Sequence, residues 1–286
     1  MNEINTSQRG ARPIISKKIT AHYGEKHPNV TLEDYTKIWR DWINFSDNKN
    51  IIGLDKFSIA EYTHGTTQTF DQFALRNQGR VAACPGEFQY HKCIGKFTSI
   101  TQKEQCLFPG DKEWAFIMSV PFSDTGSVHW QFKELMMHCE ENERPVCLDF
   151  AYWGIAKDIV INLDHYPCVQ EITFSLSKPF HTLETHRVGI RFSRKYADDG
   201  ISMLNEVGMN NKHSMALGAS YMKKFSPDWY WDTYSDRYFD VIDKEDLAPT
   251  NTVIFGMGDN ARHGHLNRGI QDNYRVCISE QLGNSK

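Results

Sequence analysis

No run of apolar residues in the chain approaches the roughly 20 needed to cross a bilayer as a helix. The first residues hold no apolar core of a secretion signal either. Neither a membrane-embedded nor an exported protein is therefore expected. There is no basic tract, and the formal net charge is −4, which argues against a nucleic-acid partner bound through its phosphates. The seven cysteines are odd in number and none form C-x-x-C, so a disulfide framework is not indicated. Cys147 and Cys277 lie inside apolar runs, where a reduced thiol behaves as a small hydrophobe; this reads as a cytoplasmic protein. Walker, G-x-S-x-G and G-x-G-x-x-G signatures are missing, as are internal repeats. His91-Lys92-Cys93 with Cys84, and His263 with His265, lack the spacing of a metal site, so no metal is expected.

What is present is enough for a large core. The 286 residues, 40% of them hydrophobic, suffice for one large domain or a large and a small one. Residues 1–30 are polar and read as an arm or loops. Thr31 is a helix cap followed by Glu33 and Asp34. Leu32, Tyr35, Ile38, Trp39, Trp42 and Ile43 then recur at helical spacing over 32–45. Short apolar stretches at 81–84, 114–120, 145–148, 169–174 and 188–192 read as strands, and 57–62 as a short strand or a helix end, interleaved with helical stripes at 70–74 and 127–140. Continuously apolar strands belong to a mostly parallel α/β sheet covered by helices on both faces. After about residue 196 the pattern changes to helices at 201–207 and 213–225, an aromatic stretch from Trp229 to Phe239, and strands at 252–255 and 274–278. The expected division is a large domain over 50–195 and a small α+β lobe formed by 1–49, with the N-terminal arm, and 196–286.

Three stretches carry chemistry. Gly65-Thr66-Thr67 opens a helix, where backbone N–H groups and hydroxyls can receive an anion; a plain helix cap is the simpler use of the same residues. Asp149 closes an apolar strand and is followed by Tyr152, at the position where open α/β sheets put ligand contacts. Ser175-Leu176-Ser177-Lys178 ends another strand, with His186, Arg187 and Arg191 downstream. Two hydroxyls, an amine and a guanidinium are what would hold a reactive amine beside a phosphate. Phe88 and Tyr90 follow the Pro85-Gly86 turn, and either can stack on a flat ring or fill core. Ser123-Asp124-Thr125-Gly126 reads as a turn.

Taken in order, these pieces resemble the class I/II aminotransferase family of pyridoxal-phosphate enzymes, with the aspartate-aminotransferase-like fold. The likeness runs from roughly residue 60 to 280, and the chain is short for that family. The resemblance implies that Lys178 forms a Schiff base with pyridoxal 5′-phosphate, that Asp149 lies under the pyridine nitrogen, and that Tyr152 bonds the phenolic oxygen. It implies a phosphate cup of Gly65, Thr66, Thr67, Ser175, Ser177 and Arg187, with His186 and Arg191 near enough in sequence to take the arginine's place. Phe88 or Tyr90 would stack on the ring. Ser123 stands where the family carries Asn. Arg275, in Asn273-Tyr274-Arg275-Val276-Cys277-Ile278, would fork a substrate carboxylate. The segment His181-Thr182-Leu183-Glu184-Thr185 replaces the family's small turn after the lysine. The implied protein is a homodimeric aminotransferase acting between an amino acid and a keto acid. Another reaction of the same cofactor (lyase, decarboxylase, racemase or substitution), or a cofactor-binding relative without turnover, are the alternatives.

Overall fold

The computed structural model describes residues 10–99, 101–103, 105–107, 114–258, 261–266 and 274–283. In chain order its strands are β1 (Lys49–Ile52), β2 (Ile59–Thr63), β3 (Arg80–Ala83), β4 (Lys96–Ser99), β5 (Thr101–Lys103), β6 (Gln105–Leu107), β7 (Ala115–Ser119), β8 (Val146–Asp149), β9 (Ile159–Asn162), β10 (Val169–Ser175), β11 (Gly189–Ser193), β12 (Ala248–Pro249), β13 (Phe255–Gly258) and β14 (Tyr274–Cys277). The helices are α1 (Lys17–Tyr23), α2 (Leu32–Asn44), α3 (Thr66–Arg76), α4 (Phe132–Glu141), α5 (Gly200–Glu206), α6 (Lys212–Lys224), α7 (Trp229–Glu245) and α8 (Ser279–Gly283).

Seven strands form one sheet in the order β2-β11-β10-β8-β7-β3-β4. The five from β10 to β4 are mutually parallel. β11 runs antiparallel to both β10 and β2, so β2 points the same way as the parallel block. Alternation along the strands decides what covers them. β7 sends Phe116 and Met118 into one apolar cluster and Ala115 and Ile117 into another; β8 divides Val146 and Leu148 from Cys147 in the same way. Residues of α2, α4, α6 and α7 complete the first cluster, and Phe70, Phe73 and Ala74 of α3 the second. Both faces are therefore buried, which is why these strands are apolar at successive positions rather than at alternate ones.

α2 begins where Thr31 Oγ1 accepts the Asp34 N–H at 3.0 Å and buries Tyr35, Trp39, Trp42 and Ile43. The Tyr35 hydroxyl donates to the Gly189 carbonyl at 3.0 Å, so this N-terminal helix lies on the large sheet, beside α6. The aromatic stretch from Trp229 is helix α7, whose Tyr230, Trp231, Tyr238, Val241 and Ile242 form one buried stripe. Two expected elements are displaced. The helix expected from 127 starts only at Phe132, because the chain before it is folded into turns, with His129 Nδ1 accepting the Gln131 N–H at 3.1 Å. The strand expected at 252–255 begins at Phe255. Thr250 and Thr252 hold a turn there: the Thr252 N–H donates to Thr250 Oγ1 at 3.1 Å, and the Thr252 hydroxyl to the Gly126 carbonyl at 2.7 Å. β12, β13 and β14 make a separate small antiparallel sheet. Among the described residues no helix is long and apolar enough to cross a membrane.

Candidate active site

Strands β2, β3, β7, β8 and β10 end at one edge of the sheet, and the antiparallel β11 begins there. A cavity of about 120 Å³ opens at this edge. Thr66, Thr67, Phe88, Ser123, Asp149, Tyr152, Ser175, Ser177, Lys178 and Arg187 line it, together with Ser119 and Ala151. Ligand contacts at the carboxyl ends of parallel strands follow from the topology, because only there do loops from several strands converge.

One end of the cavity is built for an anion. Gly65, at φ +75°, leads into α3, and a Cβ placed on it would come within 3.1 Å of the Arg187 guanidinium. Arg187 Nη2 donates to Thr67 Oγ1 at 2.6 Å. Arg187 itself stands at φ +54°, a conformation that costs an arginine roughly 1 kcal/mol or more and that the surroundings must enforce. Opposite, the Ser175 and Ser177 hydroxyl oxygens are 3.0 Å apart, and the Ser177 N–H donates to Ser175 Oγ at 3.2 Å. A helix N-terminus, a guanidinium and a cluster of hydroxyls together favour negative charge. The alternatives to Arg187 point elsewhere. Arg191 bonds Glu61, Asp199 and Ser202, and His186 Nε2 lies 3.0 Å from the Tyr23 hydroxyl of α1.

The anion end depends on a close approach of backbone to backbone. A Cβ on Gly189 would sit 2.7 Å from Gly65 Cα and 2.8 Å from the Phe174 carbonyl oxygen. Gly189→Ala is expected to lose about 1–3 kcal/mol of stability by overpacking and to push the start of α3 away from β11. Chemical denaturation measures the first effect. A weakened phosphate affinity beyond that of a surface control measures the second.

At the floor, Asp149 lies opposite Ser119 of β7 and Thr173 of β10 in the strand register. Its Oδ1 accepts the Ala151 N–H at 2.9 Å. Burial pushes the Asp149 carboxyl up to about 8; the Ala151 N–H and Lys178 pull against that, and Glu87 adds to it. At the rim, the Lys178 amine donates to the Ala11 carbonyl at 3.0 Å. Burial lowers its proton affinity, and Arg275 works in the same direction. Tyr152 is buried, its ring edge-on to Phe255 with centroids 5.6 Å apart. Phe88 is the aromatic that faces the cavity. Tyr90 stacks behind it, centroids 6.0 Å apart, and spends its hydroxyl on Asp71 at 2.8 Å. Arg275 comes from β14 and is buried, its guanidinium 4.3 Å from the Phe255 ring centroid and one N–H on the Ser123 carbonyl. It stands behind Ser123, outside the cavity lining.

Sequence reasoning missed three contributors. Glu87 holds Ser119, and it follows a strand closed by Pro85-Gly86, the same kind of strand-end acid that drew attention to Asp149. Ser119 ends an apolar strand and carried a weaker signal. Ala11 acts through its carbonyl, which no side-chain pattern announces. Residues 1–9 of the arm, Asp259 and Asn260 before His263, and Asn273 lie outside the described residues.

No family model matches the chain, and no curated protein matches it in sequence. Solved structures do match, and they show the fold to be aspartate-aminotransferase-like. An aromatic aminotransferase from Pyrococcus horikoshii superposes with a TM-score of 0.66 at 11% identity, covering 96% of this chain and 91% of its own. The aspartate aminotransferase of Thermotoga maritima gives 0.64 at 11% identity, over 94% and 86%. A PLP-bound C-S lyase from Staphylococcus hominis gives 0.62 at 10% identity, over 93% and 80%. Likeness at such identity is likeness of fold.

Proposed function

We propose that the chain is a pyridoxal-phosphate enzyme that transfers an amino group between an amino acid and a keto acid. One observation carries the reading: a single cavity brings together a buried carboxyl, Asp149, a half-buried amine, Lys178, and an anion cup around Arg187.

These residues fit the cofactor. Asp149 Oδ1 takes the Ala151 N–H, which leaves Oδ2 for a ring nitrogen. The open α3 N-terminus, Ser175, Ser177 and Arg187 suit a phosphate monoester. Phe88, 43% exposed, offers a ring face. Bound there, pyridoxal phosphate would supply an electron sink for charge developing at the substrate's α-carbon. Asp149 would hold a proton at the ring nitrogen, and Tyr152 would donate toward the ring oxygen. Lys178 would anchor the cofactor's aldehyde end. Displaced from it by substrate, the same amine would take the proton from the α-carbon and return it, a role for which its lowered proton affinity suits it. Arg275 would be the cation for the substrate carboxylate, reached past Ser123, behind which it is buried.

Both aminotransferases and a C-S lyase share the fold, so the reaction is decided by product. Purified protein is expected to take up pyridoxal phosphate at one equivalent per chain, with a near-visible absorption band. Adding amino acids is expected to bleach that band and release the matching keto acid. Release of sulfide, ammonia or carbon dioxide instead would assign the site a different reaction. Failure to take up the cofactor would overturn the reading as a whole. We further place the protein in the cytoplasm as a homodimer. Cys84, Cys93, Cys139, Cys147, Cys168 and Cys277 are free thiols, as a reducing compartment keeps them, and sedimentation of the loaded protein tests the dimer.

A further inference from the structure

We propose that residues 10–16 of the N-terminal arm form a latch whose tip is held at the cavity rim by the free amine of Lys178 and released when the cofactor takes that amine. Lys178 lines the cavity, and its one hydrogen bond among the described residues goes to the Ala11 carbonyl at 3.0 Å. Behind this point the arm is firmly seated. Ile14 and Ile19 are fully buried, and the Ile19 carbonyl accepts the Tyr221 hydroxyl at 3.2 Å. The Thr20 and Tyr23 hydroxyls lie 3.1 and 3.0 Å from Nε2 of His181 and His186. α8 packs on the backbone of the arm, since a Cβ on Gly283 would stand 2.8 Å from the Ile15 carbonyl oxygen. Both histidines belong to the stretch between Lys178 and Arg187, so the chain that joins the amine to the anion cup also seats α1.

The tip is held more lightly. Pro13 has no N–H to contribute. Arg12 pairs with Glu280 at 3.2 Å, but the two side chains are 49% and 40% exposed, and an ion pair in water is worth little. The Cys277 thiol stands 4.0 Å from the Arg12 carbonyl, a long contact even for sulfur. The part-buried bond from Lys178 to Ala11 is therefore the tie that decides where the tip lies. A free amine has hydrogens to donate. Condensing with the cofactor's aldehyde, a neutral amine gives both of them to the departing water, and the Ala11 carbonyl loses its donor. When a substrate's amine takes its place on the same carbon, the hydrogens return to Lys178 and the latch closes again. The tip is thus held while Lys178 carries the substrate's proton and loose while Lys178 anchors the cofactor, a timing suited to gating. That timing rests on the function proposed above; the tie between the free amine and the arm does not.

Hydrogen exchange read by mass spectrometry on a peptide covering residues 10–16 tests the latch. Without cofactor, Lys178→Ala is expected to exchange this stretch about fivefold faster than the wild type, the worth of one ordinary hydrogen bond. Arg12→Ala, which removes only the rim ion pair, is expected to speed it by less than about twofold. Adding pyridoxal phosphate to the wild type is expected to give the same roughly fivefold gain as Lys178→Ala, and an amino acid added next is expected to reverse it. Lys178→Ala is expected to respond to neither addition. Equal exchange in the cofactor-free wild type and Lys178→Ala overturns the proposal. So does an Arg12→Ala effect as large as that of Lys178→Ala, or an arm that does not respond while the near-visible band forms. If no band forms in the wild type, the proposed function fails, while faster exchange in cofactor-free Lys178→Ala still supports the hold of the free amine on the arm.

Discussion

Lys178→Ala is expected to reduce turnover by at least roughly a thousandfold and to remove the near-visible band that pyridoxal phosphate acquires on binding. Two losses combine. On the proposed function, the amine that would anchor the cofactor's aldehyde end goes, and so does the group that would carry a proton to and from the substrate, which in general acid–base catalysis contributes about 10² to 10⁴ in rate. Lys178→Arg separates charge from chemistry. A guanidinium keeps the positive charge near Asp149, but it does not give up its proton in the working pH range, so the arginine variant is expected to be as inactive as the alanine one. The fold should tolerate both changes. Burial already disfavours the charged amine, and its one described hydrogen bond goes to the Ala11 carbonyl. Melting temperatures within a few degrees of wild type, with rates a thousandfold down, would locate the effect in the chemistry. A variant that still forms the band and still turns over would remove Lys178 from its assigned role.

Much of the large sheet was legible because burial on both faces leaves a mark in one dimension. Ala115 to Ser119 and Val146 to Asp149 are buried at every position, and such runs between helical stripes read directly as covered parallel strands. Thr31 was legible as a cap for a local reason, since its partner Asp34 is three residues away. The site residues stood at strand ends, and the topology that gathers strand ends gathers the residues too. Other features rest on partners far along the chain. Arg187 and Arg191 look alike in sequence; they differ because Glu61 is 130 residues before Arg191 and reaches it from the neighbouring strand, leaving Arg187 to face Thr67. Helix α7 was hidden because Trp229 to Phe239 is rich in residues that also favour strands. Only its place against the core, with Tyr238 donating to the Phe255 carbonyl at 2.9 Å, makes one face of it the buried one.

Arg191→Met is expected to destabilise the protein by about 3–5 kcal/mol, the usual cost of stripping one partner from a buried ion network. Arg191 is fully buried, with Glu61 and Asp199 as ion-pair partners and Glu171 at 3.7 Å; Arg76 pairs with Glu171 from the side. Burial alone would lower the proton affinity of the Arg191 guanidinium, but Asp199, Glu171 and Glu61 reverse this and raise it. Removing the guanidinium takes the described cation from Glu61 and leaves Glu171 and Asp199 to Arg76. The sign of the pH dependence follows. In the variant, carboxyls without their cation resist ionisation, so their folded-state pKa values lie above the unfolded ones. The unfolded chain sheds its protons near pH 4 while the folded one keeps them, and the deficit grows as pH rises from there. Melting the variant and the wild type at pH 5 and pH 8 is therefore expected to show the larger gap at pH 8, about 10 °C or more for a chain of this size. A gap that narrows toward pH 8 would mean that packing of the arginine stem, not its charge, is what the site uses. The consequence reaches the cavity: Arg191 ties β11 to β2 and α5, and the same β11 starts at Gly189, against which Gly65 and the opening of α3 are seated. Loss of the network should accordingly weaken the anion cup even in the fraction that remains folded.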